Sequence, residues 1–163
     1  MRTPLVLVVA CFISLDAIAV AEPIPEPGEL KIEVQVAFTE GPAWYPSGNV
    51  YFTDIVNNRI MRRDPKGMLH VYRTPSGKAN GLAFDHRQRL HACEGGAEGG
   101  NRRVTRTELD GSITVLADRY NGKRFNSPND LVISLREQIY FTDPRYGDRS
   151  DLEQFDEDGR EIE

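Results

Sequence analysis

A fifteen-residue segment occurs three times in this chain of 163 residues, and the three copies align without a gap. Each copy has two short apolar runs separated by polar turn-forming residues, which is the pattern of a β-hairpin. Such a repeat constrains the fold strongly, because every copy is expected to form the same supersecondary unit. The copies are EGPAWYPSGNVYFTD at 40–54, NGLAFDHRQRLHACE at 80–94 and NDLVISLREQIYFTD at 129–143.

Two further predicted strands follow each of the first two hairpins. They lie at 58–67 and 68–74 after the first copy, and at 101–111 and 112–118 after the second. Asp-Pro-Lys-Gly and Leu-Asp-Gly supply the turns between them. Four short strands in each repeat of roughly 40–45 residues are typical of a propeller blade. We therefore predict an all-β fold with two complete blades and the first hairpin of a third.

The number of blades predicts that the sequence is incomplete. Propellers close with roughly four to eight blades, whereas about two and a half are visible in this sequence, by the repeat length typical of blades. We therefore expect a fragment that stops before the C-terminal blades of a longer protein. Residues 30–38 alternate apolar and polar side chains and predict one more strand, which would complete the last blade of a closed ring.

The first residues have the features of a secretory signal. Arg2 precedes an apolar run over 5–15, and the small-x-small pattern that signal peptidase reads follows it. The sequence thus predicts a signal peptide at 1–21, a leader rich in proline and glutamate at 22–29, and a partial propeller at 30–163. We expect export to the periplasm or the medium. No later apolar stretch is long enough to span a bilayer, so we expect no membrane contact in the mature form.

Charge and cysteine content narrow the range of partners. The formal net charge is −5 and no basic stripe is set apart from the acidic residues, which argues against nucleic acid as a partner. Of the two cysteines, Cys11 lies in the predicted signal, so the mature chain has no internal disulfide. Cys93 lies in a strand-like run and is predicted to be a buried, unreactive thiol rather than a nucleophile.

The residue that opens each copy is a candidate for metal binding. In a propeller the innermost strand of each blade runs along the central channel, so the residue before it lies near one mouth. Glu40, Asn80 and Asn129, here termed the leading residues, occupy this position. Their oxygens are hard donors that suit calcium or magnesium, and calcium tolerates irregular geometry. The three histidines lie outside these positions, which makes zinc a weaker candidate.

Each of these residues also has a purely structural interpretation. Glu40 could be an exposed turn acid, and Asn129 could bond its own backbone in an Asx-turn. Asn80 fits a common turn before a strand as well as it fits a channel position. For Asn126 and Asp130 we favour a structural role, either supporting Asn129 or satisfying turn amides.

Each copy ends on an acid, and these three residues are here termed the closing acids. Asp54, Glu94 and Asp143 are predicted to lie at strand ends away from the polar mouth and to hydrogen-bond a neighbouring blade. The glycine-rich segment at 94–103 lacks the lysine and the following helix of a phosphate-binding loop. We expect it to form a flexible loop over the channel mouth.

Several motifs, in this order, resemble the gluconolactonase family, which includes senescence marker protein (regucalcin) and luciferin-regenerating enzyme. They are EGPAW, YFTD, NRRVTR, GKRFNSPNDLV and IYFTDPRYG, and the resemblance runs from about residue 36 to 147. It implies a six-bladed β-propeller that binds a divalent cation, often calcium, and hydrolyses sugar lactones. The family's first-blade glutamate is a metal ligand and matches Glu40. Its third-blade asparagine contacts metal or substrate and matches Asn129.

The resemblance implies metal-assisted hydrolysis of a sugar lactone. Asn80 and Asp130 join Asn129 as candidates for substrate binding. The family also uses an asparagine and an aspartate from later blades, which we expect beyond Glu163, so the catalytic group is not assigned. Calcium is the favoured cation, with zinc, magnesium and manganese as alternatives. The alternative function is a non-catalytic, calcium-stabilised propeller that serves as a binding module, or an inactive fragment.

Overall fold

Residues 36–145 are described by the computed structural model, and they contain β-strands and no helix. Two four-stranded antiparallel sheets come first, each with its strands in chain order. The first sheet contains β1 (Thr39–Trp44), β2 (Val50–Asp54), β3 (Arg59–Arg63) and β4 (Leu69–Arg73). The second contains β5 (Ala79–Phe84), β6 (Leu90–Glu94), β7 (Arg103–Thr107) and β8 (Ile113–Ala117).

Two hairpins complete the described chain. A short ribbon joins β9 (Arg119–Tyr120) to β10 (Lys123–Arg124), and the third repeat forms β11 (Leu131–Ile133) and β12 (Ile139–Phe141). The predicted all-β fold is confirmed, with two complete propeller blades and the first hairpin of a third. In the described range there is no helix that could cross a membrane.

The ribbon β9–β10 was not predicted, although its sequence carries a signal for it. Its two central residues are Asn121 and Gly122, and both have a positive φ, 49° and 82°. A two-residue Asn-Gly loop with this geometry is a preferred hairpin turn. The strands on either side have two residues each, too few to show an alternating pattern.

A polar side chain closes the turn of the second and of the third repeated hairpin. In the second copy Asp85 Oδ1 accepts the amide hydrogens of Arg87 and Arg89, both at 2.9 Å. In the third copy Ser134 Oγ accepts those of Arg136 and Gln138 at 3.3 and 3.1 Å. These bonds satisfy turn amides that the strand ladders leave free, and so help to set the hairpin register.

Each of the first two inner strands begins with a β-bulge. The register against the neighbouring strand shifts between Glu40 and Ala43 in β1, and between Ala79 and Leu82 in β5. A bulge leaves an extra residue unpaired and re-aims its side chain. Glu40 is the last paired residue before the irregularity in β1, and Asn80 lies within the corresponding irregularity in β5.

The two blades share a hydrophobic core. Tyr45 and Phe84 pack edge to face with ring centroids 4.9 Å apart, and Tyr51 lies against Phe84 at 5.0 Å. Such aromatic pairs contribute about 0.5–1.5 kcal/mol beyond the area that they bury. The buried members of the cluster are Ala43, Tyr51, Ile60, Ala79, Leu82, Leu90 and Ala92.

A buried charge network also links the blades. Glu94 is fully buried, and its Oε1 accepts hydrogen bonds from Arg73 Nη2 at 2.6 Å and Thr105 Oγ1 at 2.8 Å. Its Oε2 accepts from Asn101 Nδ2 at 2.6 Å and Arg103 Nε at 2.7 Å. Arg73 belongs to the first blade, so its bond to Glu94 joins the fourth strand of one blade, β4, to the second strand of the next, β6.

The predicted signal peptide at 1–21 and the leader at 22–29 lie outside the described residues. The strand predicted at 30–38 lies partly outside them. Its described part, 36–38, is not in a strand, and the first described strand begins at Thr39.

We expect Glu94→Gln to lower the free energy of unfolding by about 3–5 kcal/mol, because the substitution leaves Arg73 buried without its counter-ion. Urea-induced unfolding of the two proteins measures the difference. The control is Asp118→Asn, because Asp118 and Arg119 form a half-exposed ion pair at 3.8 Å, and such pairs contribute about 0–1 kcal/mol. Equal losses in the two variants would contradict a special role for the buried network.

Candidate metal and substrate site

The starts of the three inner strands lie side by side. Gly81 N donates to the carbonyl oxygen of Asn129 at 2.6 Å. Thr53 Oγ1 donates to the carbonyl oxygen of Asn80 at 3.0 Å. A Cβ atom built on Gly41 would lie only 2.1 Å from that same carbonyl oxygen of Asn80. The backbones at the three leading residues are thus in direct contact from one copy to the next.

The side chains of the leading residues make no hydrogen bond within the described part of the protein. Glu40 is exposed, and Asn80 and Asn129 are half-buried. Within residues 36–145 none of the three side chains has a hydrogen-bond partner. Three oxygen-bearing side chains that start from adjacent backbones and have no protein partner can bind a hard cation or a polar ligand.

The Asx-turn interpretation of Asn129 does not match its contacts. Its side chain accepts no backbone amide hydrogen in the described structure, whereas the neighbouring Asp130 Oδ1 accepts that of the next residue, Leu131, at 2.9 Å. Asp130 also stands against Gly81, where a Cβ atom would lie 2.4 Å from Asp130 Oδ1. Asp130 therefore has the structural contacts that the sequence suggested, beside its candidate role in substrate binding.

The segment before Asn80 is fixed by one side chain of the first blade. Asn58 Oδ1 accepts from Ser76 N at 3.2 Å, Ser76 Oγ at 3.1 Å and Lys78 N at 2.7 Å. Asn58 itself has a φ of 53°, a left-handed conformation that asparagine tolerates better than most residues. The backbone leading to Asn80 is therefore placed by the preceding blade.

The closing acids lie at the same end of the blades as the leading residues, and the prediction that they lie away from the polar mouth is wrong. Thr39 pairs with Asp54, and Ala79 pairs with Glu94. In the third copy Asn129 N donates to the carbonyl oxygen of Thr142, next to Asp143, at 2.9 Å. The physical reason is simple: an antiparallel hairpin brings the end of its second strand back beside the start of its first.

The contacts of the closing acids are structural, as predicted, but only Glu94 bonds a neighbouring blade. Asp54 Oδ2 accepts from Asn57 and Arg59 of its own blade at 2.8 and 2.9 Å. Burial by itself would raise the pKa of Asp54, but hydrogen bonds from Asn57 and Arg59 outweigh it and lower this pKa below its usual value. Asp143 accepts two backbone amides from the connection that precedes β11.

The glycine-rich segment 94–103 packs against the approach to both leading asparagines. Gly95 N donates to the carbonyl oxygen of Lys78 at 3.1 Å, two residues before Asn80. Gly96 N donates to Ser127 Oγ at 2.8 Å, two residues before Asn129. The segment therefore bridges the second and third inner strands at the end where the leading residues lie.

The donor chemistry fits a hard divalent cation. Among the described residues no three histidine, cysteine, aspartate or glutamate side chains form a cluster that could bind a metal ion. The candidate ligands are instead the leading residues, which offer one carboxylate, at Glu40, and two amide oxygens, at Asn80 and Asn129. A further oxygen was missed by the sequence reasoning. Asn126 is buried and its Oδ1 has no partner in the described structure, and only its place in the NSPND stretch could have pointed to it.

Cys93 is buried and unsuited to nucleophilic chemistry, as predicted. It has no solvent exposure. Burial, followed by the nearby charges of Asp130 and Asp143, raises the pKa of the Cys93 thiol to about 12. The thiol is therefore protonated at neutral pH, and a protonated thiol is a poor nucleophile.

Comparison with known proteins finds a matching family profile and similar proteins. Residues 38–159 match the profile of the SMP-30/Gluconolactonase/LRE-like region. A gluconolactonase of Zymomonas mobilis is 32% identical in an alignment of 147 residues that covers 78% of this chain and 40% of that protein. The solved structure of a gluconolactonase from Xanthomonas campestris has a TM-score of 0.64 at 38% identity, over 72% of this chain and 38% of that chain. The chain thus spans about two fifths of the length of these relatives.

A more distant structure shows only the shared fold. Virginiamycin B lyase from Staphylococcus aureus has a TM-score of 0.52 at 19% identity, over 70% of this chain and 37% of that chain.

We expect Gly81→Ala to displace the third inner strand from the second. The new Cβ atom would lie 2.6 Å from Asp130 Cα and 2.7 Å from the carbonyl oxygen of Asn129, so the backbones must separate. The amide resonances of Asn129 and Asp130 should shift in NMR spectra. Gly111→Ala is the control: with a φ of 85° it strains the backbone of its own turn, but nothing lies within 4 Å of a Cβ atom there, so it should leave those two resonances unchanged. Equal spectra for Gly81→Ala and wild type would contradict the close contact.

Proposed function

The chain belongs to the SMP-30/gluconolactonase/LRE-like family, and we propose that it acts in the divalent-cation-dependent hydrolysis of a sugar lactone. The observation that carries this proposal is the set of leading residues. Glu40, Asn80 and Asn129 start from adjacent backbones, and their side chains have no hydrogen-bond partner among the described residues. Donors of this kind suit calcium, with magnesium, manganese and zinc as alternatives.

We assign the cation to Glu40 and Asn129. Glu40 supplies the negative charge and Asn129 an amide oxygen, and in oxygen-rich sites the number of charged ligands strongly affects affinity. Glu40 and Asn129 would hold a divalent cation, which would supply Lewis-acid chemistry for the lactone carbonyl and for the negative charge that develops on its oxygen. The chain's own residues then have to bind and orient the sugar ring.

Asn80, Asn129 and Asp130 are the proposed substrate-binding residues. The amide groups of Asn80 and Asn129 can donate to ring and hydroxyl oxygens, and the second carboxylate oxygen of Asp130 can accept from a sugar hydroxyl. Cys93 is given no role in the reaction, because its thiol is buried and protonated. We assign no proton-transferring group to the described residues.

We expect Glu40→Gln to weaken calcium binding by about tenfold or more, since a charged ligand contributes more to affinity than a neutral one. Isothermal titration of the 163-residue chain with calcium chloride measures this. In the same preparations, hydrolysis of glucono-δ-lactone above the buffer rate should require calcium and stop in excess EDTA. A pH-stat follows the acid released.

The control is Glu137→Gln, which makes the same change of charge at an exposed turn where Glu137 pairs with His86 and Arg87. Calcium affinity should not change in this variant. Hydrolysis that persists after chelation would overturn metal dependence. Calcium binding without hydrolysis would favour the alternative, a non-catalytic binding propeller, over the enzyme.

We also propose that residues 1–21 direct export to the periplasm or the medium. The support is the order of Arg2, the apolar run over 5–15 and a small-x-small motif that ends at Ala21. Expression in a bacterium should therefore yield an exported protein whose mass corresponds to an N-terminus at Glu22. Ala21→Tyr should block this cleavage, and an exported product that keeps Met1 would contradict the assignment.

A further inference from the structure

The connection that precedes Asn129 is fixed by one carboxylate. Asp143 Oδ1 accepts the amide hydrogen of Ser127 at 2.8 Å, and Oδ2 accepts that of Asn126 at 2.9 Å. Asn126 Nδ2 also lies 3.3 Å from Oδ2. Two consecutive amide hydrogens therefore point at the two oxygens of one side chain, and hydrogen bonds to an ionised acceptor are stronger than neutral ones.

The chain from this carboxylate to Asn129 is short and constrained. Pro128, the residue between Ser127 and Asn129, is fully buried, and its ring fixes φ near −65°. Asn129 N then donates to the carbonyl oxygen of Thr142 at 2.9 Å, and the Asn129 carbonyl accepts from Gly81 N at 2.6 Å. The backbone of Asn129 is fixed on both sides while its side chain has no partner in the described range.

Resting on the proposed function, we infer that Asp143 is a positioning residue for the cation site. It does not contact the cation itself. It fixes the backbone from Asn126 to Asn129, so that the amide oxygen of Asn129 is presented in one orientation before the cation binds. Removing a hydrogen-bonding group that orients a metal ligand typically costs about 10–100-fold in metal affinity.

The chain offers a matched control for the loss of such a carboxylate. Asp64 Oδ1 accepts the amide hydrogens of Lys66 and Met68, both at 2.9 Å, and Asp64 Oδ2 lies 3.0 Å from His70 Nε2. Asp64 thus accepts two backbone amides and one side-chain nitrogen, as Asp143 does, but it does so in the turn between β3 and β4. Asp64→Asn removes a comparable set of bonds without touching the approach to Asn129.

The first measurement needs no cation. Asp143→Asn should accelerate amide hydrogen exchange at Asn126 and Ser127 and shift the side-chain amide resonances of Asn129. Asp64→Asn should change exchange only near residues 66–70. Unchanged exchange at Asn126 and Ser127 in Asp143→Asn would overturn the positioning role, whether or not the protein binds calcium.

The second measurement is calcium titration of the same 163-residue proteins by isothermal calorimetry. Asp143→Asn should bind calcium about tenfold or more weakly than wild type, and Asp64→Asn should match wild type. Equal affinity in wild type and Asp143→Asn, or equal weakening in both variants, would overturn the inference. If wild type binds no calcium, the cation site of the proposed function fails, and the exchange experiment still decides whether Asp143 orients Asn129.

A milder variant covers the case in which Asp143→Asn does not fold. Asp143→Glu keeps the charge and both acceptor oxygens but moves them by one methylene. It should show faster exchange at Ser127 and weaker calcium binding than wild type, and wild-type values for both would overturn the inference.

Discussion

Neighbouring blades are in direct backbone contact at the starts of their inner strands, and the candidate site depends on this contact. At Gly41 and Gly81 no Cβ atom fits, because the backbone of the following inner strand occupies that space. In the first two copies, the glycine after the leading residue therefore lets the backbone of the next copy approach to direct contact. In the third copy Asp130 takes the place of this glycine, and its own backbone and carboxylate are what Gly81 accommodates. Residues that are far apart in the chain come into contact because glycine, at positions 41 and 81, has no side chain to hold the two backbones apart.

The polar residues near these contacts divide into two groups with different tasks. The closing acids and Asn58 accept hydrogen bonds from arginine, asparagine and backbone amides, and these bonds fix the path of the backbone, although Asp54 Oδ1 has no partner in the described structure. The side chains of the leading residues have no hydrogen-bond partner among the described residues. Burying a carboxylate such as Glu94 is tolerable only because four donors surround it, whereas Glu40 is exposed to solvent and needs no such support. The hydrogen bonds that fix the backbone thus use other side chains, and the side-chain oxygens of the leading residues are left for a ligand.

Much of the fold could be predicted from the sequence, because β-hairpins and their turns are local. The three repeats, the strands at β3, β4, β7 and β8, and the burial of Cys93 follow from alternating apolar residues and turn formers within a few positions. The ribbon β9–β10 escaped prediction because two-residue strands carry no pattern, although Asn121-Gly122 marks its turn. The sequence predicts a structural role for Asn126, and its side-chain amide nitrogen has one, because it donates to Asp143. Its buried and unpartnered oxygen depends on which neighbours surround it, and that is not a local property.

The order of hairpins, the polar leading positions and the family of the chain were determined by the sequence alone, since these rest on residue types at fixed spacing. The tertiary structure decided where the closing acids lie and what they bond. In the sequence the closing acids stand at the opposite end of each repeat from the leading residues. In the folded chain, antiparallel pairing brings each acid back beside the start of the inner strand, fifteen residues or fewer before it in the sequence. Two further contacts exist only in the folded chain: the hydrogen bond between Gly81 and Asn129, and the one between Asp143 and Ser127. Distances between separate strands are set by packing and not by sequence spacing.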